Sequence, residues 1–279
     1  MSSLNKRPKT VWSIIEAKVH AWKGNAEGSR KVFVIGTGRS GTHLLGKTIL
    51  SHQDVAGTVE KPRIFQNVTE AALYPNRRPQ LLRQLVRAYR FEHSRVAPKH
   101  YCDKSHPNLW IAEDLAQAFP HSLFVGINRN PYAVVASMLI HPGVRRWHLE
   151  WRQFPVPNAF LGISEDLSSG YDNLPLAEKC TLRWISHERE MRRLQAALGE
   201  RLLVVNYENL ILNTQNQLTE LQVFLGLATP IPGCEIRSDT IDKWKKNLSD
   251  SEVETVSRVL IKHGFAEAAL AGVHGTQGE

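Results

Sequence analysis

The stretch Lys31-Val32-Phe33-Val34-Ile35-Gly36-Thr37-Gly38-Arg39-Ser40-Gly41-Thr42-His43 decides how this chain folds. Its first half is a short run of β-branched and aromatic residues that ends on glycine, the pattern of a buried strand. Residues 42–50, THLLGKTIL, then read as a helix. Glycines 36, 38 and 41 in the connecting turn let the backbone bend tightly and approach a ligand closely. In such a turn successive N–H groups point inward, and the helix N-terminus adds partial positive charge. The segment predicts a cradle for an anion.

The cradle is not that of a magnesium-nucleotide enzyme. A G-x-x-x-x-G-K-[ST] loop carries a lysine for the β- and γ-phosphates and a hydroxyl for magnesium. Here Thr42 stands at the lysine position and His43 at the hydroxyl position. Arg39 instead puts a fixed cation inside the loop.

Working outward, residues 55–59 suit a second strand, and residues 69–92 read as helical with breaks at Pro75 and Pro79. Tyr101-Cys102 ends a third strand, and residues 111–119 form a helix that stops before Pro120. Residues 123–128 are another buried strand, with Pro131 suited to the first position of the next helix. Residues 150–175, rich in Pro, Gly, Ser and Asp, read as a long loop or lid. A long helix over 176–198, a strand over 202–206, helix through Leu225, an irregular crossing at Pro230 to Gly233 and a helix over 252–262 complete the pattern. Strands alternating with helices predict an α/β fold: a P-loop-like three-layer sandwich, with a central parallel β-sheet and helices on both faces. Val11, Ile14, Ile15, Val19 and Trp22 fall at helical spacing. The expected organisation is therefore an amphipathic helix and linker over 1–30, one domain over 31–271, and a frayed tail over 272–279.

Composition sets outer limits. The chain has 279 residues, 42% hydrophobic, enough for a full core. Its formal net charge of +8 favours anionic partners, yet no run of five or six like charges marks a nucleic-acid tail. Cys102, Cys180 and Cys234 lie far apart, which argues against a zinc site or a disulfide framework. Glu16 and Lys18 interrupt the N-terminal apolar residues, and no stretch approaches a membrane span. A soluble, cytoplasmic protein is expected.

A second motif changes what the first one means. In Leu123-Phe-Val-Gly-Ile-Asn128-Arg129-Asn130-Pro131-Tyr-Ala-Val-Val-Ala-Ser137, an arginine ends a strand and a serine follows in the next helix, so both can reach one anion. The strand-GTGRSGT-helix and strand-Arg-x7-Ser-helix pair resembles the sulfotransferases that use 3′-phosphoadenosine-5′-phosphosulfate (PAPS). The arginine form of the loop is closer to the carbohydrate, bacterial and tyrosyl-protein branches. The resemblance implies that Gly38, Arg39, Ser40, Gly41, Thr42 and His43 hold the 5′-phosphosulfate, and that Arg129 and Ser137 hold the 3′-phosphate. Tyr207-Glu208-Asn209-Leu210 resembles the family's Y-E-D-L, which puts Tyr207 near the adenine, with Asn209 replacing the aspartate. Phe224-Leu-Gly-Leu227 resembles the phrase that follows it. Asp242-Lys243-Trp244 resembles an S-K-W segment that brings Lys243, with Arg237 before it, to the cofactor.

For the base the resemblance leaves two candidates. Glu60, in Val59-Glu60-Lys61-Pro62-Arg63, stands where the tyrosyl-protein and several bacterial branches have a catalytic glutamate. His106, in Lys104-Ser105-His106, resembles the catalytic histidine of the cytosolic branch. The arginine-type loop favours Glu60, and an environment that raises its pKa would suit it. Lys104 is assigned to the leaving group. Trp147, Trp151 and Phe154 suit either stacking on a ring of the acceptor or anchoring the lid, and Arg145 and Arg146 either favour an acidic acceptor or are simply solvated. The implied activity is metal-independent sulfuryl transfer to a saccharide, lipid-linked, small-alcohol or protein-tyrosine hydroxyl, or to an amine. Two readings compete: a divergent P-loop phosphotransferase, and a non-enzymatic binder of nucleotide or nucleic acid.

Overall fold

Strand β1 (Lys31–Gly36) lies at the centre of a five-stranded parallel sheet in a computed structural model of the chain, which describes residues 28–233 and 240–273. Its side chains alternate between two cores, as a period of two requires. Phe33 and Ile35 pack with Tyr89, Leu109, Phe119, Phe124 and Met191 on one face. Val32 and Val34 pack with Leu45, Ile49, Val125, Ile127 and Leu221 on the other. Every residue of the strand is buried.

The chain continues through α1 (Thr42–Leu50), β2 (Val55–Val59), α2 (Pro62–Leu73), α3 (Arg78–Val96), β3 (His100–Lys104), α4 (Ala112–Ala118), β4 (Leu123–Asn128), α5 (Pro131–Leu139) and α6 (Pro142–Leu149). It then passes through α7 (Leu176–Leu198), β5 (Leu202–Asn206), α8 (Tyr207–Leu212), α9 (Thr214–Leu225), α10 (Trp244–Asn247), α11 (Asp250–Lys262) and α12 (Ala266–Val273). Strand order is β2-β3-β1-β4-β5, all parallel, with Val34 opposite Lys104 on one side and Val125 on the other. The chain moves from β1 to one half of the sheet and then to the other. In doubly wound sheets, ligands bind at such a reversal, outside the carboxyl ends of the strands. The P-loop-like α/β sandwich is as expected.

Local chemistry explains several boundaries. Asn130 caps α5 by accepting hydrogen bonds from the Tyr132 and Ala133 amides, with Pro131 at the first helical position. Ser249 and Glu252 form a reciprocal capping box on α11.

Three expectations need correction. The helical stretch read over 69–92 is two helices, α2 and α3, joined by a turn at Pro75–Arg77. Pro79 does not break α3, because it falls in the first turn, where no helical partner is needed for its missing N–H. Residues 150–175, expected as a long loop or lid, carry only short helical turns, and Phe160, Leu161 and Tyr171 are fully buried there in a cluster with Trp151 and Ile163. The C-terminal helix α12, absent from the sequence reading, runs to Val273. The helix expected over residues 10–23 lies outside the described residues. Among the described residues, no helix is long and apolar enough to cross a membrane.

Candidate active site

The turn after β1 is shaped for an anion. Gly41 is the N-cap of α1 in the left-handed conformation, with φ 94°, and a Cβ there would stand 2.3 Å from the Tyr207 ring. Only glycine fits both constraints. Helix α1 has no side-chain cap and no acidic residue in its first turn, so its leading N–H groups remain for a ligand. Ser40 Oγ instead bonds back to the Thr37 carbonyl and stiffens the turn. Arg39 is one of two non-glycine residues with positive φ among the described residues, at 80°, and its side chain is exposed.

The second motif folds against the first. Arg39 Nε donates to Ser137 Oγ at 3.0 Å, and Arg129 Nη1 donates to the Arg39 carbonyl at 3.3 Å. The Arg129 guanidinium lies 4.0 Å from the Tyr207 ring centroid, and its Nη2 donates to the Thr240 carbonyl at 3.1 Å. Tyr207 closes this corner with a 2.9 Å hydrogen bond to Thr240 Oγ1. Arg129 Nε is buried with no hydrogen-bond partner, which leaves a donor for an absent acceptor. Lys243, exposed, caps α10 on the same segment as Thr240. Arg237 lies outside the described residues. A cleft of about 920 Å³ continues the site on the Arg129 side, with Asn128, Asn206, Ile241 and Trp244 in its walls.

The other side of the turn gathers titratable side chains. Glu60, the second positive-φ residue, at 47°, ends β2 and donates its N–H to the Lys104 carbonyl at 2.9 Å. Lys104, at the end of β3, is only 1% exposed. Its Nζ donates to Glu60 Oε1 and, at 2.8 Å, to His43 Nδ1. His106 Nδ1 lies 3.4 Å from the same carboxylate oxygen, and His43 Nε2 lies 3.7 Å from the other. His106 Nε2 is buried without a partner, and a Cβ on Gly38 would lie 3.0 Å from it. The imidazole therefore faces the turn after β1, with Glu60 behind it.

These contacts do not supply the pKa-raising environment that would suit Glu60 as a base. Burial alone would raise the Glu60 pKa. Hydrogen bonds from His106 and Lys104, and their charges, outweigh it and hold the carboxyl at about 2. Burial pushes His106 down to about 4, against the raising pull of Glu60. Burial likewise lowers Lys104, although Glu60 opposes the shift. Lys61 does not compete for Glu60, because it pairs with Glu92.

Several supporting residues carry no signal that sequence reasoning used. Asp103 is fully buried, accepting from Thr58 at 2.7 Å, Asn108 at 2.9 Å and Tyr89 at 3.1 Å, and burial raises its pKa to about 6. This network fixes the end of β3, and with it Lys104. Gly46 in α1 leaves space for the Lys104 stem, since a Cβ there would stand 2.8 Å from Lys104 Cγ. Trp184 Nε1 donates to the Arg129 carbonyl at 3.3 Å. Of the aromatic residues expected at the acceptor mouth, Trp147 meets Phe160 edge-on at 5.1 Å, Phe154 meets Tyr74 at 5.7 Å, and Trp151 bonds Asp172 at 2.7 Å. They anchor the 150–175 segment.

No curated protein matches the sequence at a significant level. Solved structures do resemble the fold. A sulfotransferase domain from the curacin biosynthetic pathway is similar over 85% of this chain and 98% of its own, with 15% identity and a TM-score of 0.56. A sulfotransferase from Alicyclobacillus acidocaldarius is similar over 88% and 96%, with 15% identity and a TM-score of 0.53. A sulfotransferase domain from the Synechococcus PCC 7002 olefin synthase covers 84% and 96%, at 15% identity and a TM-score of 0.52. At these identities the likeness speaks for the fold. The sequence itself matches the sulfotransferase family model over residues 31–230, the span that runs from β1 past Tyr207, and the chain belongs to the sulfotransferase family.

Proposed function

We propose that this chain transfers the sulfuryl group of PAPS to a hydroxyl, or an amine, of its acceptor by in-line displacement. The observation that carries the reading is the junction of the two anion motifs. Arg39 and Arg129 meet through the Arg39 carbonyl, and Ser137 bonds Arg39. A donor with phosphates at both ends of one nucleoside needs two such anion sites on one wall. The uncapped start of α1 and the unpartnered Arg129 Nε fit that need. Missing lysine and hydroxyl positions in the loop argue against magnesium-nucleotide phosphotransfer. When bound, PAPS supplies the sulfuryl group and a phosphate oxygen that departs.

On this reading His106 Nε2 takes the acceptor proton. Glu60 faces Nδ1, fixes the tautomer, and stabilises the imidazolium that forms. Lys104, held between Glu60 and His43, meets the negative charge that develops on the departing oxygen. The preference for Glu60 as the base thus shifts to His106, because the carboxylate is already engaged by two donors. A second reading keeps Glu60 as the direct base. Its support is the strained backbone at φ 47°, since such strain gathers at functional positions.

Two measurements test this. Adenosine 3′,5′-bisphosphate should raise the melting temperature of the wild type more than ATP with magnesium does, and Arg129→Ala should lose that shift. A larger response to ATP with magnesium would favour the phosphotransferase reading. With labelled PAPS, His106→Ala should lower turnover by about 10²–10⁴-fold while bisphosphate binding survives. Should Glu60→Gln remove turnover and His106→Ala spare it, the base is Glu60. If neither matters, the mechanism fails.

A further inference from the structure

Arg183, in the middle of α7, is fully buried, and no described carboxylate pairs with it. Nη1 faces Met138 Sδ at 3.8 Å. The guanidinium lies 4.7 Å from the Phe160 ring centroid and 5.4 Å from that of Trp147. Nε and Nη2 are both buried and have no hydrogen-bond partner. These two nitrogens form one straight edge of the guanidinium, the fork that holds a carboxylate through two parallel hydrogen bonds. The whole fork is free. Two aromatic faces return only part of what it costs to desolvate the charge.

The surroundings connect this fork with the reaction centre. Burial pushes His148 down to about 3, and the Arg183 charge adds to the shift. Burial and then the charges of Arg39 and Arg183 lower His141, which also senses Glu60. Arg183 contributes in the same direction at His106, behind burial and Lys104. The geometry agrees: Met138, which Nη1 faces, directly follows Ser137, the acceptor of the Arg39 Nε hydrogen bond. His148 Nε2 is a further buried atom without a partner, while its Nδ1 is held by the Tyr171 hydroxyl at 2.7 Å. The cover over Arg183 is seated closely: a Cβ on Gly162 would come within 2.7 Å of the Arg183 amide nitrogen, and Ser186 Oγ bonds the Ala159 carbonyl at 2.7 Å.

We propose that Arg183 recognises a carboxylate on the sulfuryl acceptor through its free Nε–Nη2 edge, so that the acceptor is a hydroxylated carboxylic acid. The proposal rests on the sulfotransferase reading and deepens it. Trp147, Phe160 and Met138 wall the fork with apolar surface, which suits an aryl or alkyl acid better than a hydrated phosphate.

The test is a set of thermal melts with adenosine 3′,5′-bisphosphate present throughout. Benzoate and 4-hydroxybenzoate are compared with benzamide and 4-hydroxybenzamide, in the wild type, Arg183→Met and Arg183→Lys. Methionine removes the charge without stranding a buried group. Lysine keeps the charge but lacks the fork. The acids should raise the wild-type melting temperature by about 3 °C at tenfold excess over Kd. The amides should not, Arg183→Met should lose the shift, and Arg183→Lys should bind the acids at least about fivefold more weakly. Equal shifts in wild type and Arg183→Met, or no acid-dependent shift in the wild type, overturn the proposal. The bisphosphate is scored in the same experiment without acid. If it fails to stabilise the wild type, the sulfotransferase reading falls. If it stabilises and the acids do not, only the carboxylate proposal falls.

Discussion

Lys104 and Arg183 are two cations buried to the same degree, at 1% and 0% exposure, and the protein treats them in opposite ways. Lys104 ends a strand and meets Glu60 and His43, so each of its charged contacts is made within the chain. Arg183 sits mid-helix among Phe160, Trp147 and Met138, and keeps an entire edge without a partner. Burial of a charge alone therefore says little about its role. On the proposed reading the paired cation serves the reaction and the unpaired one waits for the carboxylate of the acceptor.

The largest predicted difference is in turnover. Lys104→Met removes the donor proposed to meet the departing oxygen and should reduce labelled sulfuryl transfer by about 10²–10³-fold. Arg183→Met should cost transfer to an uncharged phenol at least about tenfold less than Lys104→Met does, because its fork serves an anionic acceptor and it otherwise acts on the reaction only through the charge it adds at His106. Equal losses in the two variants, measured with one neutral acceptor, would erase the distinction between them.

Stability separates the pair in the opposite sense. Removing Lys104 strands the Glu60 carboxylate and should cost about 2 kcal/mol, less than a fully buried broken pair because Glu60 retains some solvent. Arg183→Met replaces an unpaired charge with apolar volume and should unfold at or above the wild-type midpoint in urea. Acid titration sharpens this. The Glu60 pKa is held at about 2, below its ordinary 4.5, so its stabilising share is complete above about pH 4.5 and disappears as pH falls toward 2. Lys104→Met should lose stability more gently than wild type across that window. Arg183→Met removes a cation that helps hold His148 and His106 down, so it should lose less stability than wild type as pH falls from about 6.5 toward 3.

The same contrast explains what could be read from the sequence. The sheet was legible because each strand is a short β-branched run bounded by punctuation, and because parallel strands buried on both faces need no alternation. The loop at 36–43 and the Arg129–Ser137 pair were legible because their spacing within one strand-to-helix unit is local. Lys104, Glu60 and His106 were nameable as candidates, but their convergence depends on β2 and β3 being neighbours, and the direction of the Glu60 shift depends on that convergence. Arg183 was invisible: in sequence it is one basic residue in a long amphipathic helix, where solvation is the ordinary reading. Its burial arises from residues 147–163 folding over α7, and composition alone reads most of that stretch only as a long loop or lid.

The smallest effect should come from Gly46→Ala, and it asks whether Lys104 is merely paired or also accurately held. Alanine favours a helix interior over glycine by about 1 kcal/mol. Here its Cβ would stand 2.8 Å from Lys104 Cγ and 2.9 Å from Lys104 Cβ. Those atoms belong to the base of the side chain, on a strand locked between β1 and β2, so they cannot swing away cheaply. The helix gain and the contact cost should nearly cancel, leaving the unfolding midpoint within about 1 kcal/mol of wild type. Nζ should nonetheless shift by a few tenths of an ångström away from Glu60 and His43. Turnover should then fall about tenfold at unchanged bisphosphate affinity, because a displacement well short of 1 Å already degrades alignment in the transition state. A variant that melts higher and turns over at the wild-type rate would mean that the pairing of Lys104 matters and its placement does not.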